Sequence, residues 1–143
     1  MSAKNILIVD DYPANLKLLR LLLAADGHVV QTANCAEDAL ELLSSFRPDV
    51  ILVDIQMPGI NGLELTRLIK SEARTKEIRI LAVSANAMEA DIRQAQDAGC
   101  EGYITKPIDT RRFVAACVLR LANVRLHGVG AHSQYPDFFR PRF

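Results

Sequence analysis

The chain has 143 residues, half of them hydrophobic and about a quarter charged, with 17 Lys plus Arg balanced by 17 Asp plus Glu. That length suits one domain around one core, and the apolar content excludes an intrinsically disordered chain. A formal charge of zero gives no electrostatic pull toward nucleic acid or an anionic membrane, and no apolar run reaches the ~20 residues of a membrane span.

In chain order, Ile6 to Val9 is a short continuous apolar run, the pattern of a strand buried on both faces. Asp10 and Asp11 interrupt it at once, so no signal peptide is expected. Pro13 to Ala25 reads as a leucine-rich helix with proline in its first turn and Gly27 closing it. In this helix Leu18, Leu19 and Leu22 are expected to face the sheet, leaving Leu16 and Leu23 on another arc. Val29 and Val30 mark a second strand. Ala36 to Phe46 carries a helical stripe that Pro48 ends, and Val50 to Val53 is a third strand. A loop with Pro58, Gly59 and Gly62 leads to a helix over Leu63 to Ser71. Ile78 to Val83 is the fourth strand. Met88, Ile92 and Ala95 share a face of the fourth helix, which Gly99 closes. Tyr103 and Ile104 form a short fifth strand, and a fifth helix is expected from about Thr110 to Val124.

Five β-α repeats with short connections imply a parallel sheet covered by helices on both faces, with sites outside the carboxyl ends of the strands. Residues 1–124 are assigned to this domain. The last 19 residues, 125–143, hold Gly128, Gly130, Pro136 and Pro141 without periodicity and are expected to be a flexible tail. Cys35, Cys100 and Cys117 are scattered, which suggests neither a disulfide framework nor a zinc site but reduced thiols in a cytoplasmic protein.

The strand ends carry the chemistry. The first strand runs into Asp10-Asp11, the third ends in Asp54, the fourth in Ser84, and the fifth is followed by Lys106-Pro107. Three carboxylates, a hydroxyl and an ammonium therefore converge on one rim. Neighbouring carboxylates repel, and a hard divalent cation relieves them. Mg²⁺ prefers a few oxygen ligands and leaves positions for water and phosphate. A carboxylate beside such an ion can attack phosphorus, while Lys106, the Ser84 hydroxyl and a backbone N–H bind the phosphoryl oxygens. Each element alone has an ordinary explanation: Asp11 as a helix cap, Lys-Pro as a turn, Ser84 as another cap. Their order at successive strand ends is what makes them specific.

These residues resemble response regulator receiver domains, including the chemotaxis receiver and single-domain cell-cycle regulators. The resemblance spans roughly Lys4 to Val124. It rests on VDD at 9–11, VDIQMPGINGLEL at 53–65, VSANAM at 83–88 and GYITKPID at 102–109. It implies a flavodoxin-like (βα)5 doubly wound α/β fold with strand order 2-1-3-4-5. It further implies a cytoplasmic phosphoacceptor of a two-component phosphorelay, not an enzyme, with Asp54 taking a phosphoryl group from a histidine kinase or histidine phosphotransfer protein. Asp11, Asp54 and the backbone carbonyl of Gln56 would bind Mg²⁺ directly, and Asp10 mainly through water. Ser84 and Lys106 would contact the phosphoryl group, with small Ala85 leaving it room. Tyr103 would follow Ser84 as the switching aromatic, and Pro107 would follow a cis peptide bond. Gln56 and Asn86 would tune dephosphorylation, and as non-acids they point to a longer-lived phosphate.

The fourth helix, fifth strand and fifth helix would form the readout face for a downstream protein, as a monomer or a phosphorylation-dependent dimer. Leu16 and Leu23 are assigned as the docking pair for the phosphodonor's helix bundle. Alternatives are a receiver fragment of a larger response regulator or hybrid kinase, and a phosphorylation-independent interaction module. An aspartate-nucleophile phosphohydrolase would want an acid at position 56, where Gln stands. A dinucleotide fold would want GxGxxG where Asp10-Asp11-Tyr12-Pro13 stands.

Overall fold

The computed structural model describes residues 4–86 and 88–105. The expected fifth helix, the tail, Cys117, Lys106 and Pro107 lie outside these residues. Five strands, β1 (Asn5–Val9), β2 (Val29–Ala33), β3 (Val50–Asp54), β4 (Arg79–Ser84) and β5 (Gly102–Thr105), alternate with α1 (Pro13–Ala25), α2 (Ala36–Leu42), α3 (Gly62–Ser71) and α4 (Glu89–Ala98). All strands pair in parallel in the order β2-β1-β3-β4-β5. The parallel sheet is the one expected from the β-α alternation, and its doubly wound order is the one the family resemblance implies.

Strands β1, β3, β4 and β5 have no polar face because both faces are covered. Leu7, Val9, Ile51, Val53, Ile80, Ala82 and Tyr103 pack with Ala36, Ala39, Leu65, Ile69, Ile92 and Ala95 from α2, α3 and α4. Their alternates Ile6, Ile8, Val50, Leu52, Leu81 and Ile104 form a second cluster with Leu19 and Leu23 of α1. The side-chain period of two thus feeds two cores from each strand. Only the edge strand β2 alternates between exposed and buried.

Helix ends follow local chemistry. Pro13 opens α1, where its missing N–H costs nothing, and Gly27 follows the helix at φ +89°. Asn61 caps α3 by accepting the Glu64 N–H at 3.0 Å. Gly99 ends α4 in the left-handed conformation, φ +112°.

Three expectations of phase and extent are corrected. In α1 the buried leucines are Leu19 and Leu23, while Leu18 and Leu21 are exposed. Leu16 is partly buried and packs against the second core, so Leu16 and Leu23 are not a spare surface pair. Met88 precedes α4 and is exposed, outside the stripe of Ile92 and Ala95. The second helix stops at Leu42, short of Phe46, because hydrogen bonds from Ser44 N–H to the Glu41 carbonyl and from Ser45 N–H to the Leu42 carbonyl tighten the chain into a turn.

Candidate functional site

The carboxyl ends of β1 and β3 lie side by side, since Val9 pairs with Val53. The next residue on each strand is an aspartate. Asp10, Asp11 and Asp54 each present an oxygen such that all three atoms lie within 4.8 Å of one another. Asp10 and Asp54 are buried, 3 % and 4 % exposed, while Asp11 faces solvent. Two nearly buried carboxylates therefore share a small space with a third that closes it from outside.

Each buried carboxylate is held by its own chain. Asp10 Oδ1 accepts the Tyr12 N–H at 2.9 Å, and its Oδ2 accepts from Asn15 Nδ2 at 3.2 Å. Asp54 Oδ1 accepts the Gln56 N–H at 3.0 Å. The ordinary alternative for Asp11, a helix cap, is not what opens α1. Tyr12 occupies the cap without a side-chain bond, and Asp10 secures the turn. Asn15 had no place in the sequence reading. Its signal is its position on the first turn of α1, within reach of the rim.

The loop after β3 folds back over the strand end. The Gly62 N–H donates to the Ile55 carbonyl at 3.1 Å. A Cβ on Gly62 would sit 2.4 Å from the Asp54 carbonyl oxygen and 2.8 Å from Ile55 Cα. Only glycine lets α3 start this close to the acidic strand end. Sequence reading marked Gly62 as a loop residue; it is the first residue of the helix.

Ser84 ends β4, one residue beyond Val83, which pairs with Asp54. It is buried, and its Oγ accepts the Asn86 N–H at 3.1 Å. The Gln56 side chain crosses from the β3 loop and accepts the Ala85 N–H at 3.4 Å. Tyr103 of β5 pairs with Ala82 of β4, is 2 % exposed, and donates its hydroxyl to the Asn86 carbonyl at 2.6 Å. The phenol is thus turned into the protein and tied to the loop that Ser84 begins, instead of standing half-buried with its hydroxyl in water. The structure therefore brings Asp10, Asp11 and Asp54 together and links Gln56, Ser84, Ala85, Asn86 and Tyr103 in the adjoining loops. Lys106 and Pro107 lie outside the described residues.

A cavity of about 420 Å³ opens beside the acids, lined by Asp10, Asn15, Leu18, Leu22, Asp54 and Ala85 among others. Its lining joins the rim to the exposed part of α1. The donor set suits a hard cation: three carboxylates, with no Cys or His in the cluster. No helix among the described residues is long and apolar enough to cross a membrane.

The model of the family described as "Response regulator receiver domain" matches residues 6–118. The chain is 43 % identical over 112 residues to the polar-differentiation response regulator DivK of Brucella anthropi, covering 78 % of this chain and 90 % of that protein. The receiver domain of the sensor histidine kinase PA1611 from Pseudomonas aeruginosa, solved with a magnesium ion coordinated in its active site cleft, superimposes with a TM-score of 0.78 at 27 % identity. That match covers 86 % of this chain and all of the other. The chemotaxis protein CheY4 of Vibrio cholerae shares the fold, with a TM-score of 0.79 at 23 % identity over 84 % of this chain and 99 % of that one.

Proposed function

From the premise that this chain belongs to the response regulator receiver domain family, and so serves phosphoacceptor signalling, we propose that Asp54 is the phosphoacceptor and that Asp10, Asp11 and Asp54 hold Mg²⁺. The observation that carries this reading is the three-carboxylate cluster at the ends of β1 and β3. The Gln56 carbonyl would complete the protein's share of the ligands. Bound Mg²⁺ would supply charge neutralisation for the carboxylates and for the incoming phosphoryl oxygens.

Asp54 attacks the phosphorus of a phosphohistidine. An O–P bond forms, the P–N bond breaks, and the imidazole leaves with the electron pair. The transferred group spreads negative charge over its equatorial oxygens. The Ser84 hydroxyl and the Ala85 N–H, one residue past the strand end, are the donors nearest that charge on β4. The Ala85 N–H already donates to Gln56, so a phosphoryl oxygen must displace that contact. Ser84, whose oxygen accepts the Asn86 N–H, can turn its hydroxyl to the phosphoryl group only by drawing on that bond. Because Asn86 also holds the Tyr103 hydroxyl through its carbonyl, that rearrangement reaches β5. The switch is this linked pair of contacts, biased by phosphorylation toward one of two packings. Neither Gln56 nor Asn86 is an acid that would activate water, which favours a long-lived phosphate.

The donor is the phosphohistidine of a histidine kinase or phosphotransfer protein. Its helix bundle docks on α1, where Leu18 and Leu21 are exposed and Leu18 lines the cavity that reaches Asp10 and Asp54. A downstream protein reads the α4–β5 side.

The test is incubation with acetyl phosphate and Mg²⁺, followed by intact mass. The wild type is expected to gain one phosphoryl group, and Asp54→Asn none. Equal labelling of both would place the acceptor elsewhere, and no labelling of either would reduce the chain to a binding module.

A further inference from the structure

The end of the sheet opposite the acidic rim holds a buried ionic contact that the phosphoryl chemistry does not use. Glu101 precedes β5 and Lys70 lies in the last turn of α3, 31 residues apart, and their side chains form an ion pair and hydrogen bond. Both are mostly shielded, at 14 % and 17 % side-chain exposure. The second Glu101 oxygen accepts the Ile80 N–H at 3.0 Å, and the Glu101 N–H donates to the Ile80 carbonyl at 2.9 Å. Lys70 Nζ also donates to the carbonyls of Lys76 at 3.1 Å and Ile78 at 2.6 Å. Glu101 is therefore bonded twice to one residue of β4 and once to α3.

This contact lies one step before the β4–β5 ladder, whose first pair is Leu81 with Gly102. β5 has only four residues, so its own ladder specifies its register weakly. A slip of one residue would turn every β5 side chain to the other face. Tyr103 would then leave its core for the opposite face and lose the Asn86 carbonyl, and Thr105 would leave its place beside Ser84. We infer that Glu101 is a positioning residue for the phosphoryl site, acting as a register pin that sets β5 on β4 by accepting the Ile80 N–H. The inference rests on the receiver reading of the rim.

The pin works through bond length and acceptor geometry more than through charge. Glu101→Gln keeps the side-chain length and a carbonyl acceptor for Ile80, although its amide nitrogen is a donor and gives up Lys70. Glu101→Asp keeps the charge but is one methylene too short to reach the Ile80 N–H. The experiment compares the two variants with wild type at a temperature where all are folded. It records the Tyr103 ring signals by NMR and the initial rate of phosphorylation by acetyl phosphate. In Glu101→Asp the Tyr103 signals are expected to broaden or double and the rate to fall roughly tenfold, as for a small misplacement of reacting groups. Glu101→Gln is expected to keep one set of signals and a rate within about twofold of wild type, since the acceptor survives. Equal losses in both variants, or unchanged Tyr103 signals in Glu101→Asp, would overturn the pin. If wild type takes no phosphate, the receiver reading of Asp54 fails. The Tyr103 signals then still decide whether Glu101 sets the register.

Discussion

The two ends of the parallel sheet use acidic residues in opposite ways. At the amino ends, Glu101 meets Lys70 and a backbone N–H, and Asp49 accepts the Asn5 N–H at 2.8 Å. There each carboxylate fastens one strand to a neighbour. At the carboxyl ends, Asp10, Asp11 and Asp54 bring like charges within 4.8 Å. The backbone bonds that hold Asp10 and Asp54 orient them within this repulsion. One end ties neighbouring strands together, and the other carries an electrostatic cost that, on the proposed reading, a cation and a phosphoryl group offset.

That contrast can be broken most strongly at Gly62. Gly62→Ala drives a methyl group into the backbone of Asp54 and Ile55 and is expected to cost about 3 kcal/mol by overpacking, read from denaturant midpoints. Gly59→Ala is the control. Gly59 has φ +73° but nothing within 4 Å of a Cβ, so the left-handed penalty of about 1 kcal/mol acts alone. A smaller loss at Gly62 than at Gly59 would show that α3 need not start so close to the rim.

A milder change sharpens the acidic end. Asp11→Asn leaves Asp10 and Asp54 in place. It is expected to weaken Mg²⁺ binding roughly tenfold, about 1.4 kcal/mol, in calorimetric titration. The metal-free protein should gain roughly 0.5 kcal/mol from relieved repulsion. A loss of metal-free stability would mean that Asp11 has a structural role.

The smallest effect lies at the other end and concerns pH. Burial raises the Glu101 carboxyl above its ordinary value of 4.5, and Lys70 offsets this only in part. The folded chain thus holds this proton more tightly than the unfolded chain. The group's contribution is greatest below the ordinary value and is lost as pH rises through the raised one. The stability of wild type relative to Glu101→Gln should therefore fall as pH climbs from 4.5 toward neutrality. A relative rise would mean that the ion pair outweighs burial.

Much of this was legible in the residues. Strands such as Ile6–Val9 and Val50–Val53 are unbroken apolar runs, which occur where both faces are covered, and covered parallel strands place their sites at one rim. The acidic triad followed from that rule with no knowledge of distances. The phase of α1 did not follow. Leu16, Leu18, Leu19, Leu21, Leu22 and Leu23 surround the helix, so its pattern does not specify which stripe faces the sheet. The sheet chose Leu19 and Leu23. Met88 was misread for a related reason, since it sits one residue before α4 begins. The Glu101–Lys70 contact gave no signal either, because a pair 31 residues apart meets only through the strand order and register of the folded sheet.

Tyr103 has a further consequence for observation. The chain contains three tyrosines and no tryptophan, so no indole masks phenol absorbance or emission. The Tyr103 phenol is buried and donates to a carbonyl at 2.6 Å, whereas Tyr12 is 60 % exposed. Phenols in such different surroundings absorb and emit differently. The untagged protein thus carries its own optical probe at the junction between the loop after β4 and β5.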